Sequence, residues 1–271
     1  MIPAAMDYVR ADSAEAAVAA LAEHGEEAKL LAGGQSLVPL MRLRLATPAV
    51  LVDVGRASDL TGISVDGDTV SIGALTTHST LEHSTDLATA CPLLAHVASV
   101  VGDPAVRHRG TLGGSLAHAD PASDLPAAVL ALGGTLVVTG SGGTREVAAT
   151  DFFTGFLESA LAVDEVLTEV RVPVSTAGWA YQKFNRRAQD WASVGAVVAE
   201  GGAGVALVNM GSTPLRASAV EAAVASGASA VEAAAGAADG TDPPTDTQAD
   251  AAYREHLARV LTARALEAAG A

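Results

Sequence analysis

The chain has 271 residues, 49% hydrophobic but only 3% aromatic, and its 31 acids against 16 bases leave a formal charge of −15. That length allows one large domain or two modest ones with a core of small aliphatic side chains, and the acidic balance opposes binding to nucleic acid or to an anionic membrane surface. A single cysteine, Cys91, excludes an internal disulfide and a cluster held wholly by thiolates.

The first elements form a small α/β unit. Asp12, Ser13 and Glu15 mark a helix start, and His24-Gly25 ends it. Residues 29–32 are a short apolar strand running into Gly33-Gly34. Residues 37–45 are apolar with Arg42 and Arg44 interposed, and residues 50–54 make a buried strand. The texture changes near Gly55. Residues 63–72 alternate apolar and polar about Asp66-Gly67, a hairpin signal. Thr76-Thr77 opens a short capped helix to His83, and a second helix runs from Pro92 to Val101. An irregular segment, residues 107–126, follows. A helix is predicted over 125–132, a hairpin over 135–147 and a strand over 166–172.

Residues 175–178 are the expected boundary, giving domains 1–174, itself split near residue 54, and 175–271. Beyond it three strands in meander order are predicted over 179–187, 191–199 and 205–210. Two alanine-rich helices, a Pro-Pro loop and a last helix over 249–269 come next. The last helix carries Tyr253, Leu257, Val260 and Leu261 on one stripe. Strands followed by helices make this an α+β unit.

The chemistry concentrates in two loops. Gly33-Gly34 carries Gln35 and Ser36 beside it, and Thr111 and Ser115 bracket Gly113-Gly114. A glycine lacks the Cβ that keeps an anion from the backbone, so both loops suit a phosphate. Neither has the spacing of a Rossmann fingerprint or a P-loop. Asp124 is a candidate for a ligand hydroxyl or a helix N-cap, and both can hold at once. Asp120 before Pro121 reads as a turn residue. Lys183, on a predicted strand, is either a ligand contact or a solvated charge. None of the seven histidines sits in a metal-ligand pattern, and Ser115 and Ser123 lie in no nucleophile elbow. Cys91, before Pro92 and an apolar run, reads as a buried thiol. No catalytic side chain and no metal ligand is expected, which fits chemistry done by a bound cofactor. No signal peptide or membrane span is recognised, so a cytoplasmic location is expected.

These residues resemble the FAD-binding medium subunit of molybdenum hydroxylases, the carbon monoxide dehydrogenase and xanthine dehydrogenase type. The likeness rests on residues 29–45 and 102–124. It continues through residues 151–153, 165–173 and 183–187 to the segments at 242–246 and 253–257. It implies a two-part FAD domain of the vanillyl-alcohol oxidase type, then a C-terminal α+β domain with an antiparallel sheet. By position it assigns FAD contacts to Leu30, Leu31, Ala32, Gly33, Gly34, Gln35, Ser36 and Leu37, and to Thr111, Leu112, Gly113, Gly114 and Ser115. Asp124 matches the family's acid after the second loop, Lys183 a lysine near the flavin, and Val101 and Leu167 apolar flavin neighbours. His108 and Leu112 stand where many relatives have asparagine and isoleucine. The resemblance further implies electron relay in a dimer of heterotrimers. A large molybdopterin subunit and a small subunit with two iron–sulfur clusters would be the partners, so those cofactors lie on other chains. A self-contained FAD oxidoreductase with its own small substrate and a non-catalytic FAD module are the competing readings.

Overall fold

Three short apolar runs pair into a parallel sheet near the N-terminus. In the computed structural model, which describes residues 2–271, they are β1 (Asp7–Arg10), β2 (Ala28–Leu31) and β3 (Val50–Asp53), in the order β1–β3–β2. Helix α1 (Ala14–His24) follows β1. Ser13 Oγ accepts the N–H of Ala16 at 3.1 Å, and Gly25, at φ 56°, ends the helix. The buried face of α1, with Ala17, Val18 and Leu21, meets Val50 and Val52 of β3. Strand β1 escapes side-chain periodicity. It has two apolar residues and is mostly exposed, and its backbone pairing with β3 holds it. Helix α2 (Leu37–Leu43) leaves β2 through the first glycine loop.

The second sheet is antiparallel, five-stranded and built from two hairpins around one long strand. Strands β4 (Ile63–Asp66) and β5 (Thr69–Gly73) turn at Gly67, which takes φ 55° as an Asp-Gly hairpin turn requires. Strands β6 (Thr135–Gly140) and β7 (Gly143–Ala148) form the other hairpin. Helix α9 (Ala149–Phe152) and the small hairpin β8 (Phe153–Gly155) and β9 (Glu158–Ser159) then lead to β10 (Val166–Pro173). Strand β10 sits between β5 and β6 in the order β4–β5–β10–β6–β7, with a bulge between Leu167 and Glu169.

Between the hairpins run α3 (His78–His83), α4 (Thr85–Ala90), α5 (Pro92–Ser99), α6 (Pro104–Arg107), α7 (Leu112–His118) and α8 (Asp124–Ala131). The segment expected to be irregular is therefore largely helical. Thr111, in extended conformation, caps α7 through its hydroxyl, and Gly113 packs so tightly on Ala74 that the helix survives its glycines. All eight residues of α8 are buried, and all but Asp124 at its start are apolar.

The C-terminal sheet takes β11 (Ala180–Phe184), β12 (Val194–Ala199), β13 (Gly204–Val208) and β14 (Leu215–Arg216) in chain order. The short β14 is a fourth strand beyond the three expected. Every residue of β12 and β13 is buried, because α8 covers one face and α12 (Ala251–Ala269) the other. Between β14 and α12 lie α10 (Ser218–Ala225) and α11 (Ala230–Ala234). The stripe on α12 is offset from expectation. Leu257 and Leu261 are buried as expected, but Tyr253 is 44% exposed and Arg254 takes its place inside. Arg254 is tolerated there because it donates to Ser193 O and, at 2.8 Å, to Asp246 Oδ2. The architecture is α+β, a small parallel sheet followed by antiparallel ones, and the C-terminal sheet is antiparallel as the sequence indicates.

Candidate functional site

The two glycine loops meet. A Cβ added to Gly33 would stand 2.0 Å from Arg109 O and 2.9 Å from Gly110 Cα, so the loops touch backbone to backbone. A Cβ on Gly114 would lie 3.8 Å from Ala32 Cβ. Only glycine at position 33 permits this approach.

The loops differ in what their amides do. No hydrogen bond among the described residues uses the backbone N–H of Gly33, Gly34, Gln35, Ser36 or Leu37, and the first to be engaged is Val38, which donates to Gly34 O at 3.1 Å. Gly34 takes φ 76°, and Gln35 is exposed. Successive free N–H groups beside a left-handed residue form an anion-binding concavity. In the second loop the N–H groups of Leu112 and Gly113 donate to Thr76 O and Ala74 O at 3.0 and 2.8 Å. Those of Gly114 and Ser115 donate to Thr111 Oγ1 and O, both at 3.1 Å. Its glycines are explained by packing. A Cβ on Gly113 would be 2.5 Å from Ala74 Cβ, and one on Gly114 would be 2.6 Å from Thr111 Oγ1. Thr111, Leu112 and Gly113 are buried, while Gly114 and Ser115 stay partly open beside the first loop. Leu30 and Leu31, in β2, and Ala32 are half-buried supports of that loop.

Two exposed cations flank the junction. Lys29 and Arg109 enter no ion pair among the described residues, although the chain as a whole is strongly acidic. Open amides and uncompensated positive charge suit the diphosphate of a dinucleotide.

His78 is the contributor that sequence reasoning missed. Thr77 caps α3 and accepts the N–H of Thr80 at 3.1 Å, which places His78 at the first helical position. The ring is 2% exposed and lies under the second loop, with Nε2 3.4 Å from Ser115 Oγ. A Cβ on Gly110 would be 2.8 Å from this ring. Burial lowers its pKa to about 4, with Arg107 acting the same way, while the Thr111 backbone acts against them. The imidazole is therefore neutral at pH 7, and its Nδ1 is buried without a partner. The cap at Thr77 was readable, but the burial was not.

Asp124 and Lys183 form a second group. Lys183 Nζ donates to Asp124 Oδ2 at 2.8 Å and to Val100 O at 3.1 Å, and Tyr181 Oη donates to Asp124 Oδ1. The Lys183 side chain is 9% exposed, so it is not a solvated charge. Burial raises the Asp124 pKa, opposed by the charge and hydrogen bond of Lys183. Burial also holds the Tyr181 phenol well above its ordinary value. Asp124 is the first residue of α8 rather than its N-cap, which is Ser123. Asp120 makes the expected turn, accepting the Ala122 N–H at 2.9 Å.

Val101 is half-buried, and its carbonyl accepts from Arg107 Nη1 at 3.3 Å. Leu167 is 5% exposed and belongs to the main core. The next residue, Thr168, accepts the Ala74 N–H at 3.0 Å, which ties β10 to the strand end under Gly113. The structure thus brings residues 30–37 and 111–115 together, and separately joins Asp124 to Lys183. Val101 and Leu167 sit on the supporting frame. Cys91 is buried, and burial pushes its pKa up to about 11, so it is held as an unreactive thiol.

Comparison with known proteins gives this geometry its context. Residues 4–175 match the FAD binding domain in molybdopterin dehydrogenase, and residues 179–269 match the CO dehydrogenase flavoprotein C-terminal domain. The carbon monoxide dehydrogenase medium chain of Hydrogenophaga pseudoflava is 40% identical over 284 residues, covering 100% of this chain and 99% of that relative. The solved carbon monoxide dehydrogenase from Hydrogenophaga pseudoflava, which lacks the Mo-pyranopterin moiety of the molybdenum cofactor, matches with a TM-score of 0.94 at 41% identity. The match covers 100% of this chain and 99% of that one. Quinoline 2-oxidoreductase from Pseudomonas putida 86 matches with a TM-score of 0.92 at 34% identity, covering 100% of this chain and 99% of that one. Sequence and geometry agree, and the chain belongs to the family of FAD-binding medium subunits of molybdenum hydroxylases, as an oxidoreductase flavoprotein.

Proposed function

We propose that this chain is the electron-relay subunit of a molybdenum hydroxylase, receiving electrons from an iron–sulfur partner and passing them to an external acceptor. The observation that carries the assignment of its site is the run of five free amides at residues 33–37, pressed onto the second loop through Gly33. In this reading those amides hold the FAD diphosphate. Each hydrogen bond to the charged group contributes about 1.5–3 kcal/mol. Lys29 and Arg109 add favourable charge from the rim. Ser115 Oγ, resting against neutral His78, offers a hydroxyl to the same ligand. Lys183 ties β11 both to the turn after α5, through Val100 O, and to Asp124 at the start of α8. Bound FAD supplies the exchange between single electrons and electron pairs. The protein's part is to bind and orient it.

The partners in this reading are a large molybdopterin subunit and a small subunit with two iron–sulfur clusters, in a dimer of heterotrimers in the cytoplasm. The chain divides at residues 174–175 into a flavin-binding unit, with a further division near residue 54, and a C-terminal unit. The test is to purify the chain and measure turnover with and without partners. A yellow protein without substrate turnover of its own, whose flavin is bleached only when the reduced iron–sulfur subunit is added, supports relay. A lone chain that oxidises a small substrate at full rate refutes it in favour of the self-contained oxidoreductase.

A further inference from the structure

His78 has a fixed place against the second loop. Its backbone N–H donates to Gly110 O at 2.9 Å, Thr77 bridges to Thr111 in antiparallel register, and the ring fills the space that a Cβ on Gly110 would need. A neutral imidazole has one N–H and one lone pair, so its two nitrogens differ. Nδ1 is buried with no partner, and Nε2 faces Ser115 Oγ at 3.4 Å. A proton on Nδ1 would bury a donor that no acceptor meets, and an orphaned buried donor is rarer than an orphaned acceptor. The proton therefore sits on Nε2, and Ser115 Oγ is its acceptor. The backbone N–H of Ser115 is already given to Thr111 O at 3.1 Å, and its hydroxyl has no other partner among the described residues. Ser115 is partly open and follows Gly114, whose Cβ would lie 3.8 Å from Ala32 Cβ in the first loop.

We infer that His78 is a positioning residue for the flavin: its Nε2–H holds Ser115 Oγ as an acceptor and so turns the Ser115 hydroxyl into a fixed hydrogen-bond donor to the FAD diphosphate. The inference rests on the reading that the two loops hold that diphosphate. A phosphate oxygen accepts hydrogen bonds, so a serine must face it with its proton. The other tautomer would draw that proton to the ring and present lone pairs to the anion. At 3.4 Å the contact between His78 and Ser115 is at the long end for a hydrogen bond. Donation to an anion polarises the hydroxyl oxygen and strengthens the bond it accepts, so ligand binding tightens the pair.

The experiment titrates the flavin-stripped full chain with FAD near neutral pH, with melting curves as the control for fold. Ser115→Ala is expected to weaken binding by about 10- to 100-fold, and His78→Leu by about 10-fold. The double variant should bind no more weakly than Ser115→Ala alone, because both changes remove one shared bond. His78→Gln, whose amide offers an N–H in place of Nε2–H, should return affinity to within about 3-fold of the parent. Nitrogen-15 NMR of labelled histidine reads the tautomer in the parent chain, with and without FAD, and needs no variant. The proton is expected on Nε2 in both states. A proton on Nδ1 overturns the inference. So do losses that add in the double variant, or a His78→Gln chain no better than His78→Leu, which is what packing of the ring alone would give. Full affinity in Ser115→Ala with loss in Gly33→Ala also overturns it. Full affinity in both refutes the placing of the diphosphate between the loops.

Discussion

Gly33→Ala tests the contact on which the site is built. The added methyl would stand 2.0 Å from Arg109 O, whereas a carbon–oxygen contact settles near about 3.3 Å. The loops must therefore part by more than an ångström, and Arg109 C and Gly110 Cα, at 2.7 and 2.9 Å, block sideways escape. Overpacking of this kind costs about 1–3 kcal/mol, small enough to leave the domain folded. The ligand suffers more. Amides displaced by an ångström leave the range of good hydrogen bonds. Losing two bonds to a charged group costs about 3–6 kcal/mol, which is about two to four orders of magnitude in affinity. The assay is titration of flavin-stripped protein with FAD, followed by quenching of flavin fluorescence, with circular dichroism and melting as controls for fold. Gly142→Ala is the matched control, since nothing lies within 4 Å of its added Cβ. A folded Gly33→Ala protein that binds FAD within a few-fold of the parent would refute the clamp.

Three further outcomes follow from buried polar groups. Lys183→Met leaves Asp124 buried without its cation and should cost about 3–5 kcal/mol near neutral pH. Asp124 already has a raised native pKa, so the native state holds its proton more tightly than the unfolded state and stability falls as pH rises. The deficit of the variant, read from melting curves, should be smallest in mild acid and grow towards alkaline pH, and a deficit independent of pH would contradict this. His78 runs the other way. With a native value of about 4 against 6.5, the unfolded chain takes the extra proton, and stability falls as pH drops below 6.5. The loss reaches about 2 kcal/mol by pH ~5. Denaturant midpoints of His78→Leu should lack that part of the slope, and identical slopes would sink the claim. Thr262→Val removes a buried hydroxyl that has no partner. It should raise stability by about 1 kcal/mol and the melting temperature by a few degrees.

Local signals were legible and long-range ones were not. The helix after Ser13 and the hairpins at Gly67 and Gly143 declare themselves through capping and turn chemistry. The C-terminal meander does so through its runs of small apolar residues, but its two-residue fourth strand is too short to show a period. Strand β1 is visible only through its backbone partner. Helix α7 was hidden because each interior glycine disfavours a helix by about 1 kcal/mol, and only the packing of Gly113 on Ala74 reverses that preference. The loops themselves could be found, since glycines and hydroxyls cluster along the chain. The reason for Gly33 could not, because it lies in the backbone of Arg109. The partner of Lys183 and the desolvation of His78 likewise depend on contacts that no periodicity announces.

Gly204 leaves no space for a side chain, since its Cβ would lie 2.0 Å from Ala131 O at the end of α8. With Asp124 at one end of that helix held by β11 and Ala131 at the other pressed by β13, α8 is as much a part of the C-terminal sheet as of the N-terminal unit. Chimeras that exchange the C-terminal portion between homologues must therefore carry α8 with it. A crossover drawn at the linker would set a foreign sheet against a native helix and misalign the contacts of Asp124 with Lys183 and Tyr181. Recombination points placed before Asp124 keep helix and sheet in register.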